Sequence, residues 1–304
     1  MRTFSLRRRG CMKRPDSPVV LVTGASSGIG LALARRLWKS EYRAVLTARQ
    51  SSLARLEEEG FADTDQCLVR PLDVTMAAQR EQVIGEVEER WGGVDVLINN
   101  AGISYRSVIE HLSEEEELLQ LQTNYFGPLA LIRLVLPQMR RKRWGRIVNV
   151  SSVGGMMAMP TMGAYSASKF ALEGASEALW YELRPWNIKV ILVQPGFIHS
   201  LSFTRVRWSR RARQSVEQAD DYTIYYEKMG AFISRLMQAA FSTPERIAGR
   251  IVEAAEQEDP PLRICATLDA QFFTLLRRLL PRRLYHWVLY KNLPGVEEWG
   301  RPEP

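Results

Sequence analysis

Val19-Val20-Leu21-Val22-Thr23-Gly24-Ala25-Ser26-Ser27-Gly28-Ile29-Gly30 is the stretch whose reading decides the fold. Four consecutive apolar residues, Val19 to Val22, read as a strand buried on both faces, because a half-exposed strand would alternate. Gly24, Gly28 and Gly30 permit a tight turn and a close backbone approach. An amphipathic helix follows to about Lys39. A helix that starts at such a turn favours an anion at its N-terminus, a pyrophosphate above all. The spacing is Gly-x-x-x-Gly-x-Gly, not the Gly-x-Gly-x-x-Gly fingerprint. A turn that merely needs glycine is the competing reading, and strand, glycine turn and helix in succession disfavour it.

The alternation continues outward. Arg43 to Ala48 reads as a second strand, and Ser51 as the cap of a helix to about Glu59. Cys67 to Pro71 is a third strand, followed by a helix from about Met76 to Trp91, and Val94 to Ile98 is a fourth. Ser113-Glu114-Glu115-Glu116 forms a capping box that opens a long helical region. Arg146 to Val150, a helix from Gly163 to about Leu183, and Ile188 to Val193 complete the regular part. Strands alternating with helices imply a doubly wound parallel α/β sheet covered on both faces. After Gly196 the pattern loosens: residues 197–240 are long, aromatic and basic, as a functional lid or a disordered loop would be. Thr243 and Pro244 start another helix to about Gln257, Leu262 to Ala266 reads as a last strand, and 267–304 as a C-terminal helical extension. The expected organisation is a disordered basic tail over 1–17, a main domain over 18–266 with its lid at about 197–240, and the extension.

The totals bound the function. With 304 residues, 46% hydrophobic and 25% charged, the chain is an ordinary globular protein with room for one large domain. Cys11, Cys67 and Cys265 are too widely spaced for a disulfide framework, which points to a reducing compartment, and with His111, His199 and His286 equally scattered no metal site is expected. Net charge is +7, which suits nucleic acid, anionic lipid or a phosphorylated cofactor, or is simply a solvated basic surface. The basic residues are spread over several segments without a nucleic-acid motif, so no nucleic-acid partner is expected. The N-terminus carries Arg7, Arg8, Arg9, Lys13 and Arg14 but no secretory apolar core, and Met12 is an alternative start. No run of about 18 apolar residues is present to span a bilayer.

Tyr165 and Lys169 lie one helical turn apart on one face. A phenol ordinarily titrates near ~10, and a nearby ammonium lowers that value, so the pair can trade a proton with an alcohol or carbonyl. Taken with the glycine turn, this pair makes the chain resemble the short-chain dehydrogenase/reductase family over about Val19 to Gly196. Asn99-Asn100-Ala101-Gly102 after the fourth strand, Asn124 in the long helical region, Ser151-Ser152 at the end of the fifth strand and Pro195-Gly196 at the end of the sixth extend the match. The resemblance implies a Rossmann-like fold and an oxidoreductase whose hydride is carried by a nicotinamide cofactor. It implies that Tyr165 exchanges the proton, that Ser152 stabilises the charge developing on the substrate oxygen, that Lys169 lowers the Tyr165 pKa and binds the ribose, and that Asn124 holds a water joining Lys169 to solvent. Read by themselves, Ser152 is a strand-end turn and Asn124 a helix-kink hydrogen bond.

The resemblance places the cofactor along Gly24, Ser26, Ser27, Gly28, Ile29, Gly30, Arg49, Asp73, Val74, Asn100, Ala101, Gly102, Tyr165, Lys169, Pro195 and Gly196. Relatives that use NAD usually have an acidic residue at the end of the second strand; here Ala48 and Arg49 stand there, which implies NADP(H). Ser27 departs from the basic residue many NADP-preferring relatives carry before the second glycine. Asp73 matches an adenine contact and equally reads as a strand-end cap. A non-catalytic NADP(H)-binding regulator is the alternative function, disfavoured because Asn124, Ser152, Tyr165 and Lys169 are all present. Phe203, Trp208, Tyr222, Tyr225, Tyr226 and Phe232 are expected to wall a cavity for a lipophilic substrate of steroid, retinoid or fatty-chain type. In the extension, Phe272, Phe273, Leu275, Leu276, Leu279 and Leu280 share one helix side and Arg277 and Arg278 the other, with Leu284, Trp287 and Val288 following. That pattern fits a lipid interface, or packing on the core or on a second subunit. The expected protein is a cytoplasmic homo-oligomer, peripheral at a membrane surface where the extension touches lipid.

Overall fold

The computed structural model describes residues 14–38, 40–199 and 206–300. β1 (Val19–Thr23), α1 (Gly28–Leu37), β2 (Arg43–Ala48), α2 (Ala54–Glu58), β3 (Cys67–Pro71), α3 (Ala77–Trp91) and β4 (Val96–Asn99) alternate as the apolar runs require. A short β5 (Tyr105–Arg106) precedes α4 (Glu114–Leu121), which passes through a π turn at Gln122–Phe126 into α5 (Gly127–Lys142). β6 (Gly145–Val150), α6 (Gly163–Leu183) and β7 (Ile188–Gln194) follow. Then come β8 (Arg207–Trp208), α7 (Arg210–Gln218), α8 (Thr223–Gln238), α9 (Pro244–Glu256), β9 (Arg263–Cys265), α10 (Leu268–Leu279) and α11 (Arg282–Lys291).

Seven strands pair in the order β3-β2-β1-β4-β6-β7-β9, and every pairing is parallel. Successive residues of β1 point to opposite faces, and both faces are buried. Val20 and Val22 join Leu33, Ile247 and Ile251 under α1 and α9. Val19 and Leu21 join Val83, Val87, Leu131 and Val135 under α3 and α5. Each such side chain is worth about 1.5–3 kcal/mol on leaving water, so an unbroken apolar run is what a doubly covered strand needs. Strand order reverses between β1 and β4, and the carboxyl ends of those strands open a crevice.

Several expectations are revised. Ser51 caps nothing: it lies in a 3-10 turn at Gln50–Ser52, and α2 starts behind Leu53 without a side-chain cap. The Ser113 capping box forms as expected, with Glu116 N donating to Ser113 Oγ at 3.2 Å and Ser113 N to Glu116 Oε2 at 3.0 Å. The part of the expected lid that is described is mostly helix, α7 and α8, not irregular loop. Most of the expected tail, residues 1–13, lies outside the described residues, as do Lys39, Phe203 and residues 301–304.

Candidate active site

The glycine turn after β1 has the geometry its spacing requires. Gly24 has φ +69° and Gly28 φ +54°, a region side chains avoid. A Cβ on Gly30 would lie 2.1 Å from the Gly24 carbonyl oxygen and 2.6 Å from Asn100 Nδ2, so this glycine is needed for closeness. Thr23 Oγ1 receives the amides of Asn100 and Ala101, both at 3.0 Å. Asn100 Nδ2 donates to the carbonyls of Thr23 at 2.9 Å and Gly24 at 3.2 Å. The turn is thereby stitched to the end of β4. Ser27 precedes α1 and makes no side-chain cap bond, so the first amides of α1 face the crevice free to meet an anion.

Along that crevice runs a cavity of about 840 Å³. Gly24, Ser26, Ser27, Gly28 and Ile29 line one end, with Arg49, Asp73 and Val74 beside them. Asn100, Ala101 and Gly102 line the middle, and Ser152, Tyr165, Lys169, Pro195 and Gly196 the far end. Gly30 lies behind the turn and Asn124 behind Gly102; the other expected site residues reach the cavity. Arg49 is exposed at the close of β2, with Ser52 and Arg55 lining the cavity too; Arg55 was not anticipated, because α2 gave no site motif. Asp73 both lines the cavity and caps its own turn, accepting from Thr75 N at 2.9 Å and Thr75 Oγ1 at 2.7 Å. A second chamber of about 1090 Å³ shares Ser26, Ser27, Gly28 and Arg55 with the first.

Ser152 is the last extended residue beyond β6, and its Oγ accepts from Gly154 N at 3.0 Å. Gly154 matters for a reason the sequence did not give: a Cβ there would lie 3.0 Å from Tyr165 Cε1, so its bareness lets the Tyr165 ring close over Ser152. Burial pushes the Tyr165 phenol above its ordinary value, and the Ser152 hydroxyl only partly offsets this. The expectation that Lys169 lowers it is corrected. Lys169 Nζ donates to the Val150 carbonyl at 2.8 Å and lies 5.9 Å from the Tyr165 ring centre. The same burial holds the Lys169 amine down to about 8, with Glu173, one turn further along α6, pulling the other way.

Asn124 sits at the π turn, and its side chain makes three hydrogen bonds. Nδ2 donates to Ile103 O at 2.9 Å and Ser168 Oγ at 3.0 Å, and Oδ1 accepts from Ile103 N at 2.9 Å. Its side chain therefore anchors the segment after Gly102. A π turn at such a position is common near functional sites. Among the described residues, no group of three His, Cys, Asp or Glu side chains is placed to hold a metal.

The expected aromatic wall is also corrected. Tyr226 is buried, bonded to His111 Nδ1 at 3.0 Å and to Val108 N at 3.1 Å. Tyr222 and Tyr225 pack on each other, and Tyr225 stacks on Trp299. Of the described aromatics in that set only Trp208 borders a chamber, the second one. Met157, Met159, Met162, Ile233 and Met237 line the first cavity instead. In α10, the six apolar residues divide: Phe272, Leu275 and Leu279 face solvent, while Phe273, Leu276 and Leu280 are half-buried. Arg277 lies over the Phe170 ring at 5.7 Å.

Comparison with known proteins bears on this arrangement. Residues 18–211 match the short chain dehydrogenase family. The chain is 36% identical over 272 residues to a 3-ketodihydrosphingosine reductase of Bacteroides thetaiotaomicron, covering 89% of this chain and 96% of that protein. A short-chain dehydrogenase from Streptomyces avermitilis superposes with TM-score 0.76 at 34% identity, covering 90% of this chain and 98% of that one. A short-chain dehydrogenase/reductase from Burkholderia phymatum in complex with NAD does so with TM-score 0.70 at 25% identity, covering 86% and 93%.

Proposed function

The chain belongs to the short-chain dehydrogenase family, and from that premise we propose an NADP(H)-dependent oxidoreductase that interconverts a lipophilic secondary alcohol with its ketone, or an alcohol with its aldehyde. The observation that carries this reading is one cavity lined by the glycine turn and Arg49 at one end and by Ser152, Tyr165 and Lys169 at the other. The residues fit a dinucleotide: Gly24 and Gly30 leave no room for a Cβ, and the opening amides of α1 are uncapped. When bound, the cofactor would supply or accept the hydride.

The chain's own residues supply binding, orientation and the proton. Tyr165 would give its proton to a carbonyl oxygen, or take one from an alcohol, with its phenol pushed up by burial. The Ser152 hydroxyl, beside it, donates to the same oxygen as charge develops. Lys169, its amine held at the Val150 carbonyl, would supply a donor to the cofactor's ribose. Asn124 keeps the Gly102–Ile103 segment in place. Arg49, with Arg55 nearby and Ala48 in place of a carboxylate, favours the 2′-phosphate of NADP(H). The methionine wall suits a flexible apolar substrate, since thioether chains repack readily. A relative named for reducing a sphingoid ketone supports the same class. The test is a panel of long-chain, steroid and retinoid ketones with NADPH and NADH. Wild type should prefer NADPH, and Arg49→Ala should erase about ten- to hundredfold of that preference, the size of a lost charge-assisted bond. A preference for NADH would overturn the cofactor reading, and no turnover of any ketone would favour the non-catalytic regulator.

A specific observation favours a membrane-surface role as well. No helix among the described residues is long and apolar enough to cross a membrane. Yet Phe272 is 59% exposed, Leu279 67% and Trp287 58%, beside exposed Arg278, Arg282 and Arg283. Such a face suits an anionic lipid surface, from which a lipophilic substrate would be drawn. Co-sedimentation with anionic vesicles should fall when Phe272 and Leu279 are both changed to Asp. A wild-type chain that stays off the vesicles and instead forms a dimer sensitive to the same changes would assign the face to a second subunit.

A further inference from the structure

The loop that leaves β7 borders the proton-transfer end of the cavity through Pro195, Gly196 and Phe197. Its Pro195 carbonyl accepts from Val153 N at 2.8 Å, within the βα alternation, while its next two amides turn to the start of the C-terminal extension. Ala266 N donates to Gln194 O at 2.9 Å. Gly196 N donates to Thr267 Oγ1 at 2.9 Å, and Phe197 N donates to Asp269 Oδ2 at 2.8 Å. One turn further along α10, Thr274 Oγ1 reaches Met156 Sδ at 3.1 Å, just beyond the Val153–Gly155 turn that follows Ser152. The first turns of α10 thus touch both loops that carry the reacting end of the site.

Gly196 explains why the contact is more than incidental packing. Its backbone is not among the glycines of positive φ, so its conformation does not require glycine. Yet a Cβ there would lie 1.8 Å from Asp269 Oδ2. The missing side chain makes room for the carboxylate. Thr267 already caps α10, accepting from Ala270 N at 3.3 Å, so Asp269 is not needed as the cap. Its local alternative role is to complement the helix dipole, which depends on charge and not on an acceptor aimed at Phe197.

We propose that Asp269 is a positioning residue: with Thr267, it holds the Gly196–Phe197 loop in the shape that seats the nicotinamide end of the cofactor, which makes the C-terminal extension part of the active site. This rests on the oxidoreductase reading above.

The test uses the full-length chain. Asp269→Ala should weaken NADPH binding, read by fluorescence titration, by about tenfold, raise the cofactor KM similarly, and speed hydrogen exchange of the Phe197 amide. Asp269→Asn keeps an acceptor and should stay within about threefold of wild type. Gly196→Ala attacks the same contact from the loop side and should reproduce the Asp269→Ala pattern, which guards against misfolding of either variant. Wild-type binding and Phe197 exchange in Asp269→Ala would overturn the proposal, and so would an Asn variant as impaired as the Ala variant, since that result assigns Asp269 to the helix dipole. Phe197 exchange is read without cofactor, so a wild type that binds no nicotinamide nucleotide overturns the oxidoreductase reading separately from the latch.

Discussion

Two glycine-bearing turns leave parallel strands at the same edge of the sheet, and they are held in different ways. The turn after β1 is fixed by its neighbours in the sheet. Asn100 donates twice to Thr23 across the β1–β4 pair, whose register runs from Val20 opposite Val96 to Val22 opposite Ile98. The turn after β7 keeps one bond within the alternation, Val153 N donating to Pro195 O at 2.8 Å, and takes two more from side chains 71 and 72 residues further along the chain, at the start of α10. A turn whose partners follow from strand register is a property of the fold. A turn that also takes partners from an appended helix depends on how that helix docks, and is a place where function can be tuned separately.

The largest expected effect lies between the two turns. Tyr165→Phe removes the transferable proton and leaves both turns intact, so turnover should fall about 10²–10⁴-fold or more, while NADPH titration stays near wild type. Near-normal turnover would remove Tyr165 from the reaction.

The next effect separates the turns from each other. In Gly30→Ala the new Cβ meets a backbone carbonyl and Asn100, both pinned by the sheet. Relief requires a shift of β1 against α1, and folding stability in urea should drop by about 1–3 kcal/mol. In Gly196→Ala the obstacle is the tip of Asp269, which can swing away, so global stability should change by about 1 kcal/mol or less while cofactor binding weakens. Equal stability losses would mean that both turns belong to the core, and the contrast would fail.

A pH-dependent effect tests the buried amine that lies between them. Lys169 titrates near 8 in the fold and at 10.5 ordinarily, chiefly through burial. Between those values the unfolded chain holds its proton more firmly than the fold, so stability rises with pH across that window. The cost of burying the ammonium is thus full below about pH 8 and gone above about 10.5. Lys169→Met should be stabilised at pH 7 by roughly 1–2 kcal/mol, less than the whole shift because Val150 and Glu173 partly compensate the charge, and the gain should vanish by pH 10.5. Turnover should be lost throughout. A gain that does not change with pH would show that the amine is not what the fold strains against.

Much of this site was legible in the residues themselves. The run Val19 to Val22, the glycine turn, the Ser113 capping box and the one-turn spacing of Tyr165 and Lys169 are local patterns, fixed by strand period, φ and helical geometry, and they stand where they were expected. Ser152 reaches Tyr165 because both close the same edge of a parallel sheet, which the order of strands implies. Arg55, Gly154 and the methionine wall were not legible, because nothing in their immediate sequence marks them.

What the sequence by itself determined is therefore the alternation, the turns and the one-turn spacing of Tyr165 and Lys169, since each depends on a few adjacent residues. Only the tertiary structure decided how they are held. Tyr226 reads like a cavity aromatic but goes inward, because His111 and the Val108 amide satisfy its hydroxyl there. Asn124 is tied to Ile103 and Ser168 at a π turn, and Lys169 to Val150, because burial leaves each polar group to find whichever partner the packing brings within reach. Asp269 comes to Gly196 for the same reason: no local period links residues so far apart, and the space left by a missing Cβ is visible only once the helix has docked.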